Sequence, residues 1–415
     1  MYWLIETDEQ LENFTKKQYK DVFVEVIPFS NNVHPVENQI CAVYLKPLSS
    51  TKGYMVTIAH SEALSINIDK VKRVLSDFKN IYVRDRKEFI YYFKFKNTFD
   101  INSSFPPYIQ KYTAVHSHFY YIFPDDKQIN RIVPIVKHYE WCEQMWEELK
   151  DNVSQPLNSF YNKRATLVFA QIEQNGIKVD PEKYLLYFKT KKQKVHTQYN
   201  FKTLTTRPSN IFNKINYGAL NKTNGERACF LPNNDFLLDV DITAYHPTLL
   251  SKLISYSVPD GQDIYESLGM EREKAKKLIL TQMYKGVDEK YEHIEFFKKT
   301  KQYTQELWDK FQTQGYIECE ISKHRFYRDK LENMRPSKLL SYVLQNLETS
   351  YNIVLMEKML KLLKGKNTKL ILYNYDAFLF DVDKSEKQVI KEIFKLFENK
   401  GLKVKYKYGA DYNFE

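Results

Sequence analysis

The residues best equipped for chemistry are two aspartates far apart in the chain. Asp241 lies in Leu237-Leu238-Asp239-Val240-Asp241-Ile242-Thr243-Ala244-Tyr245-His246-Pro247. The opening of this stretch is apolar and rich in β-formers, so it reads as a buried strand. With a period of two, Leu238, Val240 and Ile242 share one face, and Asp239 and Asp241 share the other. A strand-end aspartate before a Pro-containing turn either caps a helix near Thr248 or serves as a metal ligand. The second use needs another carboxylate, and Asp376 supplies it. Leu370-Ile371-Leu372-Tyr373-Asn374 and Phe378-Leu379-Phe380 flank Tyr375-Asp376-Ala377, which predicts a hairpin with Asp376 at its tip. Two strand-borne carboxylates in a basic chain point to a pair of Mg²⁺ ions and phosphoryl transfer. Hard cations of this kind take carboxylate oxygens together with substrate phosphates.

A second group is cationic. Glu271 to Gly286 consists of strong helix formers and ends in glycine. Arg272, Lys276, Leu280 and Tyr284 recur every fourth residue and so share one helical face. Such a stripe is most often a solvated face, and by itself it does not specify a ligand.

The elements that must position these groups span 415 residues, enough for two or three domains. A hydrophobic content of 43% is ample for real cores, and the net charge of +10 with a pI near 9.0 favours a polyanionic partner. Cys41, Cys142, Cys229 and Cys319 are widely scattered, without zinc spacing or a disulfide framework, which fits a reduced cytoplasmic setting. The N-terminus lacks the pattern of a signal peptide, and no apolar run approaches a membrane span. Residues 1–150 read as a separate α/β domain, with strands expected at 22–27, 40–45, 54–58 and 81–83. A helix over 161–175 stops at Asn175-Gly176, with Leu167, Ala170 and Ile172 on its apolar face. Further helices are expected from Phe296-Phe297 to Trp308 and from Ser337 to Leu360. Ser385-Glu386-Lys387-Gln388 reads as a capping box that opens the last helix, and a strand follows over 402–408.

From about residue 160 the motifs, taken in order, resemble those of the family A DNA polymerases, the bacterial DNA polymerase I type. Gly176-Ile177-Lys178-Val179-Asp180 resembles the turn before the family's thumb. Lys194-Val195-His196-Thr197-Gln198-Tyr199-Asn200 and Thr206-Arg207-Pro208-Ser209 resemble its Arg-Val-His-Thr-x-Phe-Asn and Thr-Gly-Arg-x-Ser, with Thr206 in the glycine position. Arg227 to Pro232 resembles the approach to motif A, and Asp263-Ile264-Tyr265 its Asp-Ile-His. The Arg272-to-Gly286 stripe resembles its fingers helix, with Leu280 in place of an aromatic. Gly315-Tyr316-Ile317-Glu318 and His324-Arg325-Phe326 resemble its Gly-Tyr-Val-Glu-Thr and Gly-Arg-Arg.

The resemblance implies an α+β fold: a polymerase right hand with an antiparallel palm sheet, helical fingers and a much reduced thumb, preceded by an α/β ribonuclease H-like exonuclease-type domain. The implied domains are 1–150 (exonuclease-like), 151–200 (connecting helix and thumb), 201–255 (palm), 256–334 (fingers) and 335–415 (palm). It implies catalysis and metal binding by Asp241, the Ile242 carbonyl and Asp376, with Asp239 a rival ligand and Lys276 a general acid. Arg272, Lys276, Leu280, Tyr284, His246 and Tyr265 would bind the nucleotide. Thr206, Arg207, His324, Arg325 and Gln345 would contact DNA. His246 stands where the family has a glutamate that excludes ribose, and Ala377 replaces the glutamate of motif C. The implied cofactors are two Mg²⁺ ions, with Mn²⁺ as a substitute. The implied partners are primer–template DNA, deoxynucleoside triphosphates and a processivity or replisome protein, in the cytoplasm, or the host cytoplasm if the chain is phage-encoded.

Two departures carry expectations of their own. The exonuclease family needs Asp-x-Glu on its first strand, and this chain has Glu25-Val26-Ile27, with Lys137-His138-Tyr139-Glu140 as the nearest later motif. The domain is therefore expected to lack proofreading. Only Pro181 through Gln193 remain for the thumb. A helical pair reaching about 20 Å needs roughly 13 residues per helix, so one short helix around 182–192 is expected. The alternatives from other classes are an inactive primer–template-binding protein and a nuclease that acts through the first domain.

Overall fold

A computed structural model describes residues 3–104, 129–259 and 262–414, and the chain divides into two compact units, Met1–Ala170 and Gln171–Glu415. No helix among the described residues is long and apolar enough to cross a membrane.

The first unit is built on a six-stranded mixed sheet in the order Leu4–Ile5, Tyr54–Thr57, Ile40–Pro47, Asp21–Pro28, Asn80–Val83, Thr98–Asp100. The pairs from Tyr54–Thr57 to Asp21–Pro28 are antiparallel, and those from Asp21–Pro28 to Thr98–Asp100 are parallel. All four expected strands are present. The two long ones are apolar on both faces because each face meets its own core. Val22, Val24 and Val26 pack with Val71 and Leu75, whereas Phe23 and Ile27 pack with Trp141 and Met145.

The second unit is built on a four-stranded antiparallel sheet in the order Lys369–Asn374, Ala377–Val382, Phe236–Ile242, Val404–Gly409. The Phe236–Ile242 strand therefore lies between the hairpin at 369–382 and the C-terminal strand. Helices Arg272–Lys285, Glu295–Gln314 and Pro336–Leu362 follow the sequence pattern. The first ends at Gly286, whose φ of +109° only glycine adopts without strain. Helix Pro181–Phe188 is the single helix between strands Ile177–Val179 and Lys194–Val195. At 1.5 Å per residue its eight residues reach about 12 Å.

Two local expectations fail. In helix Thr166–Asn175, Ala170 and Ile172 are buried as expected, but Leu167 is exposed and Val168 and Phe169 complete the buried face in its place. The capping box at 385–388 does not form. Asp383 accepts from the Ser385 N–H at 2.8 Å and starts a short 3₁₀ turn, and helix Lys387–Glu398 begins after it without a side-chain cap. The Glu386 carboxylate instead accepts the Asn367 and Thr368 N–H groups, tying the helix start to the neighbouring strand.

Candidate active site

Strand register brings the two aspartates together. Asp241 pairs with Ala377 on one side and Lys405 on the other, and the Ile242 N–H donates to the Asp376 carbonyl at 2.8 Å. Asp241 does not cap a helix. The following helix, Tyr245–Leu253, starts after Ala244, which has a left-handed φ of +52° and supplies no cap. Lys405 Nζ lies 3.4 Å from Asp241 Oδ1. Asp239 stands one strand repeat further back, opposite Leu379 and Lys407.

The carboxylates crowd one another. Burial pushes both Asp239 and Asp376 up to about 6, and the charge of Asp241 adds to each shift. Asp376 lies at an exposed hairpin tip, and the Glu348 charge also raises its carboxyl. A carboxyl with a raised pKa in the fold favours folding while protonated. That contribution is complete below about pH 4 and lost as pH rises through 6. Asp376→Asn is therefore expected to melt ~1–2 °C above the wild type at pH 7.5 without divalent ions, on the order of 1 kcal/mol after discounting solvent screening. The difference should vanish near pH 4. A calorimetric scan in which the variant melts lower at pH 7.5 would reject this reading of the cluster.

The hairpin tip is strained and braced. Tyr375 has a φ of +60° at the first of two turn residues, a position that suits glycine. Its carbonyl accepts from Asn352 Nδ2 at 2.5 Å, and the Arg207 guanidinium stacks 3.8 Å from the centre of its ring. Asn352 also accepts from the Tyr245 hydroxyl at 2.8 Å, joining the segment after Asp241 to the tip that bears Asp376. A second strained residue lies beside it. Thr206, in the position where the resembled motif has glycine, has a φ of +62°, an outlier for a β-branched side chain. Asn346 Nδ2 donates to Thr206 Oγ1 at 2.8 Å, and Thr205 Oγ1 donates to Gln345 Oε1 at 3.0 Å. Helix Pro336–Leu362 thus holds the Arg207 loop with Gln345 and Asn346, and the hairpin tip with Asn352.

Between these braces sits Glu348, which is 2% exposed. Its Oε2 lies 3.1 Å from both Arg207 Nε and His246 Nε2. His246 Nδ1 is 2.6 Å from the Tyr284 hydroxyl, so the helix bearing Arg272 and Lys276 is tied to this cluster. Burial pushes the Tyr284 phenol up to about 12, and the Glu348 charge adds to the shift. Arg272 and Lys276 are exposed, and Arg272 donates to Asp263 Oδ2 at 2.7 Å and lies 5.3 Å from the Tyr265 ring centre. Leu280 is half-buried. The buried Tyr265 phenol, raised to about 12 chiefly by burial, also feels Asp376.

His324 and Thr206, both expected to contact DNA, have buried side chains. The His324 ring packs edge-on to Phe326 and is kept neutral by burial, its pKa lowered to about 4. It supports the loop instead of facing solvent. Arg325 is exposed and bonds Glu318 Oε2 at 2.8 Å across its hairpin. The sequence reading missed Glu348, Asn346, Asn352 and Lys405. For the three on helix Pro336–Leu362 the one available signal was a cluster of polar residues midway along it, and Lys405 in its strand gave none. Among the described residues, no group of three or more His, Cys, Asp or Glu side chains is placed to hold a metal by itself. Asp241, Asp376 and the Ile242 carbonyl offer an all-oxygen set that substrate phosphates could complete, as suits Mg²⁺.

No family model matches the chain, and no curated protein matches it significantly. Among solved structures it is similar to the POL domain of Pol1 from M. smegmatis, in complex with DNA primer-template and dNTP. The TM-score is 0.70 at 12% sequence identity, over 100% of this chain and 99% of that one. The chain therefore has the fold of a DNA polymerase domain.

Proposed function

We propose that the protein is a template-directed DNA polymerase of the DNA polymerase I type, which adds deoxynucleotides to a primer 3′ end. The observation that carries this reading is the pairing of Asp241 with the hairpin of Asp376 in a fold shared with a polymerase domain. Asp241, the Ile242 carbonyl and Asp376 would hold two Mg²⁺ ions, or Mn²⁺ in their place, whose chemistry is to activate the primer hydroxyl and to stabilise the pyrophosphate leaving group. Arg272 and Lys276 extend from one face of their helix to bind the triphosphate, and Lys276 donates a proton to the departing pyrophosphate. Arg272 must exchange its Asp263 partner for phosphate. Arg207, Arg325 and Gln345 contact the primer–template. Incubation with primer–template, Mg²⁺ and deoxynucleotides separates the readings. Longer primers support a polymerase, a mobility shift alone marks an inactive binder, and shortening marks a nuclease.

His246 and Tyr284 form the wall against the nucleotide sugar, and Leu280 lies on the same helical face as Tyr284. Leucine has no donor to replace a missing 3′-OH, so dideoxynucleotides should be used poorly, and His246→Ala should raise ribonucleotide use about tenfold or more. Efficient dideoxy incorporation by the wild type would refute the Leu280 argument, and unchanged ribonucleotide use in the variant would refute the gate.

For the first unit we propose an exonuclease-type domain without proofreading. Glu25 is buried and bound by Arg84 Nε at 3.0 Å, and Arg84 also pairs with Glu88. A guanidinium thus fills the neighbourhood a cation would need. Burial pushes Glu25 up to about 7. Asp100 accepts the Arg86 and Asn102 N–H groups, and Glu140 is ion-paired to Lys137 on the surface. A mismatched 3′ end should stay intact with Mg²⁺ and no nucleotides. Shortening that Glu25→Ala abolishes would contradict this.

A further inference from the structure

Glu348 is a buried carboxylate that the chemistry above does not use. Such a group is costly to bury without partners. Its Oε2 faces His246 Nε2 at 3.1 Å, and the imidazole's other nitrogen, Nδ1, faces the Tyr284 hydroxyl at 2.6 Å. The approach at Nε2 is a close electrostatic contact without hydrogen-bond alignment, and a carboxylate, which cannot donate, favours a ring proton on Nε2, the nitrogen nearest it. Nδ1 is then left to accept from the Tyr284 O–H. The negative charge beside Nε2 thereby biases the ring's tautomer and orientation, and with them the direction of the tyrosine hydroxyl. The same oxygen also contacts Arg207 Nε at 3.1 Å, whose guanidinium covers Tyr375 next to Asp376.

We propose that Glu348 is the positioning residue of nucleotide sugar selection: by fixing His246 against Tyr284 it makes the wall beside the sugar rigid enough to refuse a ribose 2′-OH. This deepens the polymerase reading and rests on it. Without Glu348 the imidazole loses its anchor and can turn, and the wall yields where the extra hydroxyl must fit. The side chain touches neither substrate nor reacting atoms, so it acts through His246.

The test is a double-mutant cycle on the ratio of kcat/KM for a deoxynucleotide to that for its ribonucleotide, with a defined primer–template. Glu348→Ala is expected to lower this ratio about tenfold or more, and to lower deoxynucleotide kcat/KM by less. His246→Ala should lower the ratio similarly, and the double variant no further, because the two residues act as one unit. Glu348→Gln keeps an acceptor for His246 and should hold the ratio within about twofold of the wild type. It also keeps the test valid if Glu348→Ala does not fold. An unchanged ratio in a folded Glu348→Ala would overturn the proposal. So would losses that multiply in the double variant, or a Gln variant whose ratio falls tenfold. Failure of the polymerase reading looks different, since the wild type would then extend no primer with either sugar.

Discussion

Asp241→Asn and Asp376→Asn should each lose primer extension by ~10³-fold or more while binding primer–template almost as the wild type does. Each replaces a carboxylate oxygen by an amide and removes one of the charges that hold two cations. The charge stabilisation at stake is about 4 kcal/mol or more, which converts to that factor. On the proposed function, DNA affinity would rest on Lys and Arg contacts to phosphate, which neither change removes. Asp239→Asn should be far milder. Its residue lies one strand repeat behind Asp241, pairing with Leu379 instead of the residue next to Asp376. Gel-based extension and a filter-binding titration on the same preparations check all three. An inactive Asp239→Asn beside an active Asp241→Asn would mean the catalytic register is shifted by two residues.

The second large effect concerns how long the protein would stay on DNA. We expect it to add only a few nucleotides per encounter and then dissociate. The Pro181–Phe188 helix of about 12 Å is all the helical structure between Val179 and Lys194. Two antiparallel helices of about 20 Å, the reach needed to follow a duplex groove, do not fit in this segment. Lys189, Lys191, Lys192 and Lys194 end it, and Lys191 is already paired with Glu182. Phosphate contacts alone hold DNA weakly at physiological salt. Pre-bound enzyme started together with a heparin trap should yield short products, and a clamping partner should lengthen them. Products of hundreds of nucleotides from this chain alone under trap conditions would show that another surface grips the duplex.

Where the sequence could be read, local periodicity was enough. A period of two placed Asp239 and Asp241 on one strand face, and spacing by four put Arg272, Lys276, Leu280 and Tyr284 on one helix face. Both need only neighbours in the chain. The capping box at 385–388 shows the limit of this reasoning. Asp383 competes for Ser385 and wins, accepting from both its N–H and its hydroxyl, while Glu386 accepts the N–H groups of Asn367 and Thr368. The braces of the site were illegible for a related reason. Asn346, Glu348 and Asn352 have partners more than a hundred residues away in Thr206, His246 and Tyr245, and no periodicity marks such pairs. Asp381 is the complementary case. It is a strand aspartate as promising by type as Asp376, but it is 2% exposed and its carboxylate accepts the N–H groups of Asn233 and Asn234. Burial with full hydrogen bonding makes it structural, and only the fold separates the two.

Template-directed nucleotide addition at Asp241 and Asp376 is tested most directly by a single-turnover measurement with one deoxynucleotide at a time opposite each of the four template bases. Rapid addition of the complementary nucleotide only is expected, in Mg²⁺, with none in Asp241→Asn. Addition that ignores the template base, or undiminished addition by Asp241→Asn, would contradict it.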